Sequence, residues 1–145
     1  MSTNDSVVIV TGAAGALGRA VVQRFLAAGA RLALFDRDAA VLKQMFPAAA
    51  FAEAVDITDE AAVAAAVGRI VQSLGRVDAL VHVAGGFEMG EGVAQMTRAS
   101  WDRMFGLNAW SFVALAKPVV AQMRTQGSGS IVAVSAAAAG GGQAL

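Results

Sequence analysis

Residues 7–18, VVIVTGAAGALG, constrain this chain more than any other segment. An apolar β-type run breaks there into Gly12, Gly15 and Gly18. An apolar stripe of Leu17, Val21, Val22, Phe25 and Leu26 follows at helical spacing, so the glycines fall where a strand hands over to a helix. Glycine has separable uses at such a place. Gly12 can turn tightly out of the strand, Gly15 lets backbone come close to a pyrophosphate, and Gly18 lets helix and sheet pack closely. The helix that starts there presents free N–H groups and the positive end of its dipole to the phosphates. Ala/Gly-rich chains produce such spacings by chance, so the context decides. A second apolar run, residues 31–35, ends in Asp36. A dinucleotide site wants an acid about 20 residues past the glycines, to accept hydrogen bonds from the adenosine ribose hydroxyls.

The composition fits one compact α/β domain. The 145 residues are 57% hydrophobic and 15% charged, which excludes a disordered or solvating chain. Eleven basic residues balance eleven acidic ones and no basic run stands out, which argues against nucleic acid and against an anionic membrane surface. The absence of cysteine excludes disulfides, thiolate metal sites and cysteine nucleophiles. The start, MSTNDS, carries no Lys or Arg and is wrong for a secretory signal. Mean hydropathy is +0.59, yet no stretch of 18 or more strongly apolar residues is evident, and residues 125–145 are mostly Gly, Ala, Ser and Gln. The expectation is a soluble, cytoplasmic protein with no membrane partner.

Short β-like runs at 7–11, 31–35, 50–55, 79–83 and 130–135 alternate with helical patterns at 16–28, 38–45, 59–74 and about 100–125. Gly29, Gly75 and Gly127 sit where helices should stop, and Thr58 followed by Asp59 and Glu60 is a helix start. Alternation of this length implies βαβ units and a parallel sheet. Continuous rather than alternating apolar strands are those expected when helices cover both faces. The fold expected is therefore a Rossmann-type doubly wound parallel sheet of the α/β class. The loop 85–95 follows a strand's C-terminal end, where ligands of open parallel sheets bind.

TGAAGALG at 11–18 together with Asp36 resembles the short-chain dehydrogenase/reductase family of NAD(P)-dependent oxidoreductases. Asp56-Ile57 resembles the family's acid-plus-aliphatic pair against the adenine ring. Ala84-Gly85, in VHVAGG, resembles the tail of its Asn-Asn-Ala-Gly motif. Asn108 matches the helix asparagine of its active-site tetrad, and GSIVAVSA at 129–136 resembles the strand that carries the catalytic serine. The resemblance spans the chain and implies cofactor contacts from Thr11, Gly12, Gly15, Ala16, Leu17, Gly18, Asp36, Arg37, Asp56, Ile57, Ala84 and Gly85. It implies catalytic roles for Asn108 and Ser135.

Three departures stand beside it. The middle glycine is Gly15, whereas the commonest family form places it where this chain has Ala16. His82-Val83 replaces Asn-Asn, and His82 reads as a strand-end hydrogen-bonding residue rather than a catalyst. The family's Tyr-x-x-x-Lys motif is missing; the sequence has no tyrosine. The reading is an incomplete domain over residues 1–145, truncated after the fifth strand. The serine is ambiguous, because the second slot of the Ser-Ser form is Ala136 and Ser135 fills the first. One residue's shift on a strand moves a side chain to the other face.

In a complete relative, the resemblance implies, hydride passes between a substrate alcohol or ketone and the nicotinamide. Tyrosine, its pKa lowered by lysine, would exchange the proton on the substrate oxygen. Serine would orient that oxygen, and Asn108 would position a water. The expectation for these 145 residues is dinucleotide binding without turnover. A carboxylate at 36 hydrogen-bonds a free 2′-hydroxyl and repels a 2′-phosphate, so NAD is favoured; Arg37, with help from Arg19, could pair with the phosphate of NADP. Trp101, Phe105, Phe112, Leu115 and Val119 read as one broad apolar face of the long helix, with a kink expected at Pro118. Trp110 and Met104 are extra apolar bulk toward a partner copy, making a homo-oligomer through this helix the expected assembly. Two readings stay open: the cofactor-binding part of an oxidoreductase, or a nucleotide-binding or scaffolding protein of the same fold that never needed the tyrosine. The substrate is not legible.

Overall fold

Strand β1 (Val7–Thr11) lies at the centre of a five-stranded, all-parallel sheet. On one side it pairs with β2 (Arg31–Asp36), Val7 opposite Arg31, and β2 pairs with β3 (Phe51–Ala54). On the other it pairs with β4 (Ala79–His82), Thr11 opposite His82, and β4 pairs with β5 (Ser130–Ala133). The order β3-β2-β1-β4-β5 reverses direction at β1, so the connections leaving β1 and β4 diverge and open a crevice at their C-terminal ends. The structure is a computed structural model and describes residues 5–88 and 92–136. The N-terminal MSTN, the centre of the 85–95 loop and the tail from 137 lie outside the described residues.

The continuous apolar strands have a direct cause. Val8, Val10, Leu32 and Leu34 face one layer with Val22 of α1 (Ala16–Ala27) and Leu42 of α2 (Ala39–Met45). Val7, Ile9, Ala33 and Phe35 face the other layer, with Val67 and Ile70 of α3 (Glu60–Leu74) and Leu115 and Val119 of α5 (Ser111–Gln126). Both faces are covered, so neither set of alternate residues can be polar. Each fully buried aliphatic contributes about 1.5–3 kcal/mol. Asp59 caps α3 by accepting the Ala61 and Ala62 amides, and Gly75 and Gly127 end α3 and α5 where expected.

Two expectations need correction. The fifth strand ends at Ala133 rather than 135, because its one neighbour, β4, ends at His82, the partner of Ala133; only the Val134 amide still reaches the His82 carbonyl. The long helix is not a single α-helix. It consists of α4 (Arg98–Phe105), a π turn (Gly106–Trp110) and α5. The extra residue of a π turn rotates the helix downstream of it by about 100°. Trp101 and Phe105 are therefore exposed, 47% and 51%, and stack on each other, while Leu115 and Val119 are fully buried. The expected single apolar face is two faces. Pro118 lies inside the helix Ser111–Gln126, eight residues past the π turn that breaks the rod. By length, and by one 18-residue window of mean hydropathy 1.3 within it, the rod Arg98–Gln126 would suffice to cross a membrane, contrary to the sequence expectation, but here its α5 part packs on α3 and the sheet.

Candidate functional site

The loop after β1 is built by backbone rather than side chains. Gly12 has φ +63°, and a Cβ there would stand 2.9 Å from the Ala84 Cα, so the exits of β1 and β4 touch main chain to main chain. Only glycine meets both conditions. The Gly15 amide closes the turn onto the Gly12 carbonyl at 3.0 Å. A Cβ on Gly18 would be driven into that same carbonyl, which is the close helix–sheet packing the sequence predicts. Helix α1 has Gly15 as its N-cap, with no side-chain cap and no acid in its first turn. Its first amides and dipole thus face the crevice without a protein partner of opposite charge.

That crevice is one cleft of about 1050 Å³. Gly12, Gly15, Ala16, Leu17 and Gly18 form its floor; Asp36 and Arg37 stand at the end of β2, and Asp56 and Ile57 follow β3. Ala84 and Gly85 follow β4. The sequence thus singled out the lining from four segments far apart in the chain. It placed Gly86, Phe87 and Glu88 only as part of the loop 85–95, and it missed Ala14, Phe35, Ala54, Val55 and Val83, and Arg103, Met104 and Leu107 from the long helix. Met104 faces this cleft rather than a partner. Helical periodicity alone could not place it, because the π turn is invisible in the apolar pattern.

The carboxylates differ in setting. Asp36 accepts the Ala14 amide at 2.9 Å through one oxygen and the Arg37 amide at 2.8 Å through the other. Asp56 accepts the hydroxyl of Thr58 at 2.6 Å and its amide at 2.9 Å, and these bonds hold its carboxyl below the usual value despite slight burial. Glu88 at the rim pairs with Arg103, whose hydrogen bond lowers its pKa, and accepts the Ser100 hydroxyl at 3.3 Å.

Three sequence candidates do not line the cleft. Thr11 is fully buried, its hydroxyl bonded to His82 and to the Ala84 amide. Asn108 sits in the π turn, where its Oδ1 accepts the Gly86 amide at 2.9 Å and its Nδ2 donates to the Gly86 and Met104 carbonyls, each at 3.0 Å. Ser135 is exposed beyond the end of β5. Asn108 and Ser135 are not brought together by any contact among the described residues.

The donor set suits a dinucleotide. Glycines leave space for a diphosphate over an uncapped helix N-terminus, and at one end of the cleft Asp36 keeps lone pairs for ribose hydroxyls. Residues 6–145 match the short chain dehydrogenase family. The chain is 35% identical to the 2,3-dihydro-2,3-dihydroxybenzoate dehydrogenase of Escherichia coli K12 over 90% of its own length and 50% of that protein. It is 30% identical to a sorbitol dehydrogenase of Cereibacter sphaeroides, covering all of this chain and 58% of that one. A solved 7α-hydroxysteroid dehydrogenase, in complex with NADH and 7-oxo glycochenodeoxycholic acid, superposes with a TM-score of 0.89 at 30% identity, over 97% of this chain and 57% of that one. The chain spans about half the length of the curated relatives it matches.

Proposed function

Because the chain belongs to the short-chain dehydrogenase family, we infer that its 145 residues are the nicotinamide-dinucleotide-binding part of an oxidoreductase. The observation that carries the reading is convergence. The glycine turn, the acids at the ends of β2 and β3 and the exit of β4 line one cleft over an uncapped helix N-terminus. When bound, the cofactor supplies hydride chemistry at its nicotinamide ring. This chain's residues do the holding. Gly12, Gly15, Ala16, Leu17 and Gly18 take the diphosphate, Asp36 the adenosine ribose, and Asp56 with Ile57 the adenine. Ala84 and Gly85 form the wall at the far end. NAD is the preferred form, because the Asp36 carboxylate repels a 2′-phosphate. Arg37 on the same rim keeps NADP within reach.

The reaction of the full-length protein is hydride transfer between the nicotinamide and a small alcohol or ketone, with Asn108 and Ser135 as its contributions from this part of the chain. The expected setting is the cytoplasm. The expected assembly is a homo-oligomer through Trp101, Phe105, Trp110 and Val113, which are all exposed. The second reading is a non-catalytic dinucleotide-binding or scaffolding protein of the same fold.

Titration of the chain with NADH and NADPH, followed by fluorescence and thermal stability, tests the binding. Tighter NADH binding supports Asp36 as ribose acceptor, and a folded chain that binds neither refutes the reading. A Tyr-x-x-x-Lys in the coding sequence beyond residue 145 would favour the enzyme, and a stop codon there the binding protein.

A further inference from the structure

Thr11, His82 and Ser111 are the buried polar residues among those described, and they form one chain of hydrogen bonds. Its direction comes from proton counting. The Ser111 hydroxyl donates to the Leu107 carbonyl at 2.6 Å, which uses its one proton, so its 3.3 Å contact with His82 Nε2 is donated by the ring. A neutral imidazole protonated at Nε2 leaves a lone pair on Nδ1, which accepts a hydrogen bond from the Thr11 hydroxyl at 3.0 Å. Thr11 Oγ1 in turn accepts the Ala84 amide at 3.2 Å. This single tautomer, assigned from the network, satisfies every partner.

The far end of the chain has a structural cause. In the π turn the Ser111 amide donates to the carbonyl of Gly106 rather than that of Leu107, and the Ser111 hydroxyl serves Leu107 instead. The same turn carries Asn108, which holds both the N–H and the carbonyl of Gly86. His82 therefore reaches the strand exit 84–86 from two sides: through Thr11 onto the Ala84 amide, and through Ser111 and the Leu107–Asn108 turn onto Gly86.

We propose that His82 is a positioning residue of the dinucleotide cleft. Its ring ties β1, β4 and the π turn together and so sets the backbone of residues 84–86, the wall remote from Asp36. The role rests on the dinucleotide-binding reading. His82 itself lines no part of the cleft, so it acts through Thr11, Ser111 and Asn108. A leucine keeps the bulk and loses both bonds, whereas a glutamine keeps one donor and one acceptor.

The test uses the whole 145-residue chain as wild type, His82→Leu, His82→Gln and Ser111→Ala. The readouts are ring 15N shifts, amide exchange at Ala84 and Gly86 relative to Leu80 without cofactor, and NADH titration. The wild-type ring is expected to be neutral and protonated at Nε2. His82→Leu should speed relative exchange at both amides and weaken NADH about tenfold, the worth of about one hydrogen bond. Ser111→Ala should act at Gly86 but not Ala84, and His82→Gln should recover most of the affinity. A ring protonated at Nδ1, or a Ser111→Ala chain with wild-type Gly86 exchange, overturns the proposal even if His82→Leu fails to fold. Wild-type protein that shows the relay in exchange yet binds neither NADH nor NADPH overturns the dinucleotide reading and the positioning role with it, and leaves only the network.

Discussion

The Asp36 carboxylate holds the Ala14 amide at 2.9 Å, joining the end of β2 to the glycine turn after β1. The same group is therefore both the proposed ribose acceptor and a clamp on the loop that would hold the diphosphate. Asp36→Ala is expected to weaken NADH binding by about tenfold or more, and to cost about 1–3 kcal/mol of stability by leaving the part-buried Ala14 amide without its acceptor. NADPH should lose less, because a repulsion disappears with the contact. Calorimetric titration and urea unfolding check it; equal losses for both cofactors with unchanged stability would contradict the double role.

Two glycine substitutions should have opposite signs. Gly18→Ala drives a methyl into the Gly12 carbonyl and should destabilise by about 1–3 kcal/mol while abolishing nucleotide binding. Gly68, inside α3, has open space where a Cβ would go, so Gly68→Ala should stabilise by about 0.5–1 kcal/mol through helix propensity and leave binding unchanged. Thermal unfolding of the two variants, with NADH present and absent, separates the cases.

Acid should unfold the chain in two ranges. Burial pushes the His82 pKa below its ordinary 6.5, so the unfolded state binds the proton first. The contribution is complete above pH 6.5 and is lost as pH falls from there toward the lower folded value. His82 is the one histidine in the sequence, so a stability slope just below pH 6.5 is largely its own, and His82→Gln should flatten it. Asp78 responds at lower pH. Burial pushes its pKa up, but the bonds from Arg76 and the Val7 amide outweigh that and hold it below 3.8, so its contribution is lost as pH falls through that lowered value. Urea midpoints across pH, for wild type and His82→Gln, measure both.

Strand β5 is an edge of the described sheet, with Val132 56% exposed, and Val134 just past its end 49% exposed. An apolar edge of this kind pairs with other chains. The 145-residue chain is expected to associate as concentration rises, and Val132→Lys should reduce that association without altering NADH binding. Light scattering over a dilution series decides it; an unchanged association would place the contact elsewhere, with the Trp101–Phe105 face next to test.

The strands, the short helices and half of the cleft-lining residues were legible one by one because each arises from a local pattern: apolar runs, glycine spacing, an acid at a strand end. The features that were not legible depend on where a helix turns. The π turn at Gly106–Trp110 inserts one residue of rotation that no apolar periodicity marks. For that reason Met104 was expected at a partner surface and lies in the cleft, and Trp101 was expected on the same face as Leu115 and is not. The Ser111 contact to His82 was hidden too, since residues 29 positions apart meet only once that turn is formed. The glycine turn, by contrast, carries its own signal, because its geometry excludes a Cβ at Gly12 and at Gly18.

The pairing of Thr11 with His82 also sets the order in which the molecule can assemble. Residues 71 positions apart must meet before the centre of the sheet closes, and the π turn that completes the far wall lies further along still. Closing such long loops takes its entropic toll before any contact repays it. On a ribosome, the glycine turn emerges early and waits, without a wall opposite it, until Asn108 has left the exit tunnel. Binding of the proposed dinucleotide would thus be a late event in the life of the nascent chain, and a bound cofactor would report that long-range closure is complete.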